Sequence, residues 1–96
     1  MRIAEVIGTV TLNQSLPSFK GCRLKMVRPL SLDELTDKAE PAADPVVLWD
    51  ELGAGMGDRI AMTEGPEAAQ PFRPEIKPVD AYNAGILDRV DIRERL

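Results

Sequence analysis

Arg2-Ile3-Ala4-Glu5-Val6-Ile7-Gly8-Thr9-Val10-Thr11-Leu12 is the stretch whose reading decides the fold. Ala4, Val6, Gly8, Val10 and Leu12 share one face at period two, and Ile3, Glu5, Ile7, Thr9 and Thr11 share the other. This alternation predicts a strand over residues 2–12. Val, Ile and Thr are β-branched and suit a pleated surface. The second face mixes apolar and polar side chains, so it is expected to meet something other than bulk water.

Outward from that strand, Pro17 and Gly21 punctuate a loop over residues 13–22. Residues 23–28 predict a second strand, with Leu24 and Met26 inward and Arg23 and Lys25 outward; Pro29 stops it or marks an edge. Ser31 followed three positions later by Glu34 has the spacing of a capping box. The stretch 31–44 is read as an exposed acidic excursion with one helical turn. Residues 45–50, Pro45-Val46-Val47-Leu48-Trp49-Asp50, predict a third strand. Gly53 to Asp58 is a glycine-rich turn, and residues 59–63 predict a fourth strand. Residues 64–78 hold four of the eight prolines, Pro66, Pro71, Pro74 and Pro78. A helical turn at 66–70 is allowed there, because proline is tolerated in a first turn. Residues 79–90 return to strand character, with Ala84 and Ile86 expected in the core and Leu87 as a further candidate. Residues 91–96 are a C-terminal extension or tail.

Five short strands, no strand–helix–strand alternation and no internal repeat predict an all-β fold. The fold class is a small five-stranded OB-like barrel with one or two short helical turns, a single domain over residues 1–90. A small β-sandwich is the alternative that the residues leave open. Barrel closure would also remove exposed strand edges.

Composition narrows the function. The chain has 96 residues, 16 Asp+Glu against 12 Lys+Arg, no His, one Cys and a formal net charge of −4. A domain of this size buries only about 60–65% of its unfolded surface, so a lone copy is marginal and help from other subunits is expected. Cys22 has no disulfide partner within the chain. A His-based triad and a Cys/His zinc site are excluded by composition. No run of about 18 apolar residues marks a membrane span. The first residues lack the apolar core of a signal peptide, so a cytoplasmic location is expected.

Charge is segregated. Residues 1–30 carry Arg2, Lys20, Arg23, Lys25 and Arg28 against Glu5 alone. Residues 31–51 carry Asp33, Glu34, Asp37, Glu40, Asp44, Asp50 and Glu51 against Lys38 alone. Such regions are ordinarily solvated surface. They are also suited to steering one subunit onto another.

Individual motifs argue mainly by exclusion. Gly53-Ala54-Gly55-Met56-Gly57 lacks the sixth-position glycine of a dinucleotide fingerprint; Asp58 stands there and would repel a phosphate. No Gly-Lys-Ser/Thr follows, as a Walker loop requires. Three glycines in five residues exceed what a hairpin needs, and close approach of another chain would explain the excess. Single-stranded nucleic acid would need a basic groove with stacking aromatics. The chain is acidic overall, with only Phe19, Trp49, Phe72 and Tyr82, and Trp49 is expected in the core. No carboxylates form an evident acid/base pair. Cys22 reads as an apolar filler rather than an activated thiol.

Five segments carry a resemblance. They are Met1 to Val10; Leu16-Pro17-Ser18-Phe19-Lys20-Gly21; Trp49 through Asp58; Met62-Thr63-Glu64-Gly65; and Pro78-Val79-Asp80-Ala81 with Gly85-Ile86-Leu87-Asp88. In this order they resemble the pentameric vertex proteins of bacterial microcompartments, the family shared by carboxysome and ethanolamine-utilisation shells. Phe19 stands where that family's turn has Leu, and the 31–44 excursion is long and acidic for it. The resemblance implies an OB-like barrel that forms a homopentamer, meets hexagonal shell proteins and closes the shell's vertices. It implies a structural, non-enzymatic role in the cytoplasm, with no cofactor, metal, nucleic acid or membrane. Gly53, Ala54, Gly55, Gly57 and Asp58 are then candidates for a tight interface loop. Leu16, Pro17, Ser18, Phe19 and Gly21 are candidates for a second one. A non-catalytic OB module for single-stranded nucleic acid or another ligand is the alternative.

Overall fold

The structure, a computed structural model, describes residues 1–11, 23–74 and 80–92. The predicted loop 13–22 lies outside the described residues, as do 75–79 and the end of the C-terminal extension. The strands are β1 (Arg2–Val10), β2 (Leu24–Pro29), β3 (Val46–Trp49), β4 (Arg59–Glu64) and β5 (Ala81–Ile86). They close into one barrel in the order β1-β2-β3-β5-β4, with β1 hydrogen-bonded to both β2 and β4. The β3–β5 contact is the parallel one and consists of a single residue pair, Trp49 with Tyr82.

The alternation read in β1 holds only as far as Val6. Ala4 and Val6 fill the barrel, opposite Pro29 and Val27. The register then slips: Val6 faces Val27 but Gly8 faces Met26, leaving Ile7 as an extra residue. Such a bulge shifts every later side chain to the opposite face. Gly8 and Val10 therefore lie on the outside of the barrel. The same register corrects β2. Met26 does not point inward; it shares the outer face with Gly8, and Val27 takes the interior place. Leu24 is buried, but under a second layer outside the barrel.

Ala4, Val6, Val27, Leu48, Ala54, Ile60, Met62 and Ala81 make up the barrel core. The second layer is a 3₁₀ helix over Gly65–Phe72, longer than the turn expected at 66–70. Pro66 sits at its start, where a missing N–H leaves nothing unpaired. It covers Leu24 and Trp49 with Ala68 and Phe72, and Val10 and Tyr82 pack against the same cluster. Phe72 meets Trp49 edge-on at 4.8 Å between centroids and Tyr82 at 5.4 Å. Aromatic pairs at such spacing contribute about 0.5–1.5 kcal/mol beyond area burial. Trp49 is thus packed, as its sequence context suggested.

A second register shift separates Ala61 and Met62, whose partners are Gly85 and Asn83. Ala84 is skipped and exposed, and Ile86 is 41% exposed. Neither lies in the core as expected, and Leu87 is only half-buried. Ala81 and Asn83 hold the interior positions instead.

Half of the capping box is present: the Glu34 N–H donates to Ser31 Oγ at 3.3 Å, opening α1 (Leu32–Leu35), while Glu34 Oε2 has no hydrogen-bond partner among the described residues. The excursion folds back over a charged exterior row, in which Glu5 has Arg28 and Arg59 as its cross-strand partners. A cavity of about 350 Å³ separates the two, lined by Glu5 and Arg59 from the wall and Glu34, Asp37 and Lys38 from the excursion.

Leu48 is fully buried at the centre of the core. Leu48→Ala is expected to destabilise the chain by about 2–5 kcal/mol. Urea denaturation at fixed protein concentration measures it, and a loss below about 1 kcal/mol would contradict this packing.

Candidate assembly site

Among the described residues, the one buried carboxylate organises the glycine-rich loop. Asp50 follows β3 and is 1% exposed. Its Oδ1 accepts from the N–H groups of Leu52 at 3.0 Å and Gly53 at 3.1 Å, and from Asn83 Nδ2 at 3.0 Å. Its Oδ2 accepts from the Ala54 N–H at 2.8 Å. Three successive backbone donors thus converge on one side chain, which a buried carboxylate requires to offset its lost hydration. Asn83 is also 1% exposed, and its Oδ1 accepts from the Gly85 N–H at 3.1 Å. Burial pushes the Asp50 pKa up, but the hydrogen bonds from Asn83, Ala54, Leu52 and Gly53 outweigh it, and the net shift is downward.

The loop is closed at its far end by a second carboxylate. Asp58 Oδ2 accepts from the Gly55 N–H at 2.8 Å, and Gly55 O accepts from the Asp58 N–H at 3.0 Å. Gly53 and Gly57 have φ of 80° and 83°, a region where side chains are strained. The Gly57 N–H donates to Val6 O, and the Val6 N–H donates to Asp58 O, both at 2.9 Å. The loop is therefore fastened to β1 at the residue before the bulge. Arg23 Nη2 donates to Glu51 O at 3.0 Å, and the Tyr82 hydroxyl donates to Glu51 Oε2 at 2.9 Å. Burial, the hydrogen bond to Glu51 and its negative charge raise the Tyr82 pKa.

The structure brings Gly53, Ala54, Gly55, Gly57 and Asp58 together as one loop. Ala54 points into the barrel core, at 1% exposure, and anchors the loop. Gly53, Gly55 and Gly57 are exposed, together with Leu52 at 51% and Met56 at 67%. Leu16, Pro17, Ser18, Phe19 and Gly21 lie outside the described residues. Sequence reasoning did not single out Asp50 or Asn83. The available signal was a carboxylate immediately before a glycine-rich turn, which is an Asx-type pattern. The partner on β5, 33 positions away, had no local signal. Among the described residues, no group of three His, Cys, Asp or Glu side chains is placed to hold a metal ion.

Asp50→Asn replaces an acceptor oxygen with a donor facing backbone N–H groups. A loss of about 3 kcal/mol is expected near neutral pH, since unsatisfied buried groups cost about 1–3 kcal/mol each. A carboxyl whose pKa is lowered by folding stabilises fully above its unfolded value and loses that contribution as pH falls through the folded one. The gap between wild type and variant should therefore narrow only below the ordinary carboxyl value of 3.8. Urea midpoints from neutral to acidic pH check this; a gap that closes well above that value would contradict it.

Comparison with known proteins identifies the family and the fold. The family model described as "Ethanolamine utilisation protein EutN/carboxysome" matches residues 1–88. The carboxysome shell vertex protein CcmL of Nostoc sp. is 34% identical over 97 aligned positions, covering 100% of this chain and 91% of that protein. The bacterial microcompartment shell vertex protein PduN of Salmonella typhimurium is 35% identical over 89 positions, covering 92% of this chain and 96% of its own length. The solved GrpN pentameric microcompartment shell protein of Rhodospirillum rubrum superimposes with a TM-score of 0.79 at 30% identity, covering 97% of this chain and 100% of that one. The family match runs from β1 past the end of β5, and the chain belongs to the EutN/carboxysome family of ethanolamine-utilisation and carboxysome proteins.

Proposed function

We propose that the chain is a structural subunit of a bacterial microcompartment shell, five copies of which form a ring that closes a vertex between hexagonal facet proteins. The observation that carries this reading is the near-complete match, in length and in fold, to a pentameric shell protein. The shell lies in the cytoplasm. The role is geometric and non-enzymatic: wedge-shaped subunits close a cap, and no cofactor is needed. The buried carboxylate supports this, because its hydrogen bonds are made to the loop backbone and to Asn83 rather than offered to a substrate.

The glycine-rich loop is assigned to contact between subunits or with the facets. Its support is an exposed rim of Leu52, Gly53, Gly55, Met56 and Gly57 on a backbone held from beneath. Leu16, Pro17, Ser18, Phe19 and Gly21 are assigned a second contact, at a neighbour or at the ring axis, from their sequence alone. The nucleic-acid alternative gains nothing from the aromatic residues. Trp49 is 5% exposed and packed against Phe72, so it offers no open face for a base.

Gly55 separates folding from assembly. A Cβ there would meet Asp58 Oδ2 at an ordinary 3.7 Å, so the subunit itself tolerates a side chain. Gly55→Val is expected to keep the barrel folded, by circular dichroism, and to weaken ring association about tenfold or more, by native mass spectrometry across a dilution series. Unchanged pentamers that still close shells would refute the loop assignment. A wild-type monomer that binds oligonucleotide would refute the shell reading.

A further inference from the structure

The excursion over residues 31–44 has little backbone attachment to the barrel. The Leu30 N–H donates to Ile3 O at 2.9 Å just before it begins. Beyond that point the backbone bonds of α1 and its following turn are local: the N–H groups of Leu35, Thr36 and Lys38 donate to the carbonyls of Ser31, Leu32 and Asp33. Among the described residues, no backbone hydrogen bond joins 31–44 to a strand, and no residue of α1 is buried. A segment held in this way lies at the low-stability end of a fold and opens without the rest of it.

The surface beneath the excursion is charged. The excursion carries Asp33, Glu34, Asp37, Glu40 and Asp44 against Lys38. The row on the wall is Arg28, Glu5 and Arg59, two guanidiniums to one carboxylate. Glu34 and Arg59 line one cavity of about 350 Å³, the first from the excursion and the second from the wall. Among the described residues neither makes an ion pair. Glu34 Oε2, an acceptor, and Arg28 Nε, a donor, are both buried, and neither has a hydrogen-bond partner among the described residues. A buried polar atom without a partner disfavours the arrangement that leaves it so. The wall already holds a group that would satisfy the Glu34 carboxylate, the Arg59 guanidinium across the cavity.

We propose that residues 31–44 form a strap that alternates between the arrangement seen here and a closed one, in which the excursion settles onto the wall and Glu34 pairs with Arg59. Closing narrows the cavity and covers the Arg28–Glu5–Arg59 row. Opening presents that row and the excursion's carboxylates to the surroundings. Salt screens an ion pair that water can reach, so ionic strength sets the balance between the two. Strap and wall belong to one subunit, and the proposal does not rest on the ring reading.

Endoproteinase Lys-C, with the fragment ending at Lys38 followed by mass spectrometry, reads the open strap, because proteolysis tracks the population of an opened segment when reclosing is fast. At low salt Arg59→Glu is expected to speed this cleavage about threefold or more, the scale of a single ion pair. Adding Glu34→Arg, which Lys-C does not cut, should restore the wild-type rate. Glu34→Gln keeps the backbone bond to Ser31 and should also speed cleavage. Added salt should speed cleavage of the wild type and leave Glu34→Gln nearly unchanged. The urea midpoint of Glu34→Gln, followed by Trp49 fluorescence, should match the wild type, which separates strap opening from unfolding. A wild-type rate in Arg59→Glu, or no rescue by the charge swap, overturns the proposal. A lowered urea midpoint accompanying the faster cleavage of Glu34→Gln also overturns it. The acceleration should persist at dilutions where native mass spectrometry shows only monomer; its loss there would place the pairing between copies and overturn the strap.

Discussion

The barrel closes through a seam one residue pair long, and a single buried carboxylate sits beside it. Trp49 pairs with Tyr82, and the next residue on each strand continues the join through side chains, Asp50 to Asn83. Every other strand contact in the barrel is a ladder of at least four pairs. The Asp50–Asn83 bond therefore matters more than its length suggests. Inside a protein, where the effective dielectric is low, a charged hydrogen bond is strong and an orphaned one is costly. The same carboxylate gathers the backbone of the loop that follows. Closure of the sheet and shape of the loop are one arrangement, not two.

The parts of this fold that were legible in sequence are those set by local chemistry. The five strands, the Ser31–Glu34 cap and the turn at Gly53 to Asp58 each have a short-range cause. What escaped was set across strands. Nothing near Ile7 announces an extra residue, yet that residue moves Gly8 and Val10 outside and, through pairing, places Met26 outside too. Ala84 is skipped in the same way on β5, so a polar residue, Asn83, takes the interior place that hydropathy reserved for its apolar neighbours. Asn83 could not be read as a core residue without knowing that Asp50 waits opposite. Of the site, the loop was visible and its organiser was not. The stretch from Leu16 to Gly21 lies outside the described residues.

The division of charge looks different in the fold. The acidic excursion does not simply face outward; part of it lies across a cavity from Arg59 within the same subunit. Arg28 and Arg59 flank Glu5 on the wall rather than forming an unbroken basic patch. Segregation along the chain is thus partly undone by the sheet, which brings β1, β2 and β4 side by side. What survives is a bias of the β2 side towards positive charge. For a domain of 96 residues with a modest core, surface buried between copies is a natural source of further stability.

The loop over residues 51–58 is held largely through its backbone, with Ala54 as its buried side chain and the Asp58 carboxylate closing its far end. Its fastening atoms are main-chain N–H groups at Leu52, Gly53, Ala54 and Gly55, which every non-proline residue possesses. The side chains at positions 52 and 56 are exposed, and none of the fastening hydrogen bonds uses them. Path and surface chemistry are therefore separable here: a change at either position alters what the rim offers to a neighbour without altering where the rim lies. The two acidic anchors and the two left-handed glycines set the shape, and the outward residues are left free to be fitted to whatever the rim must touch.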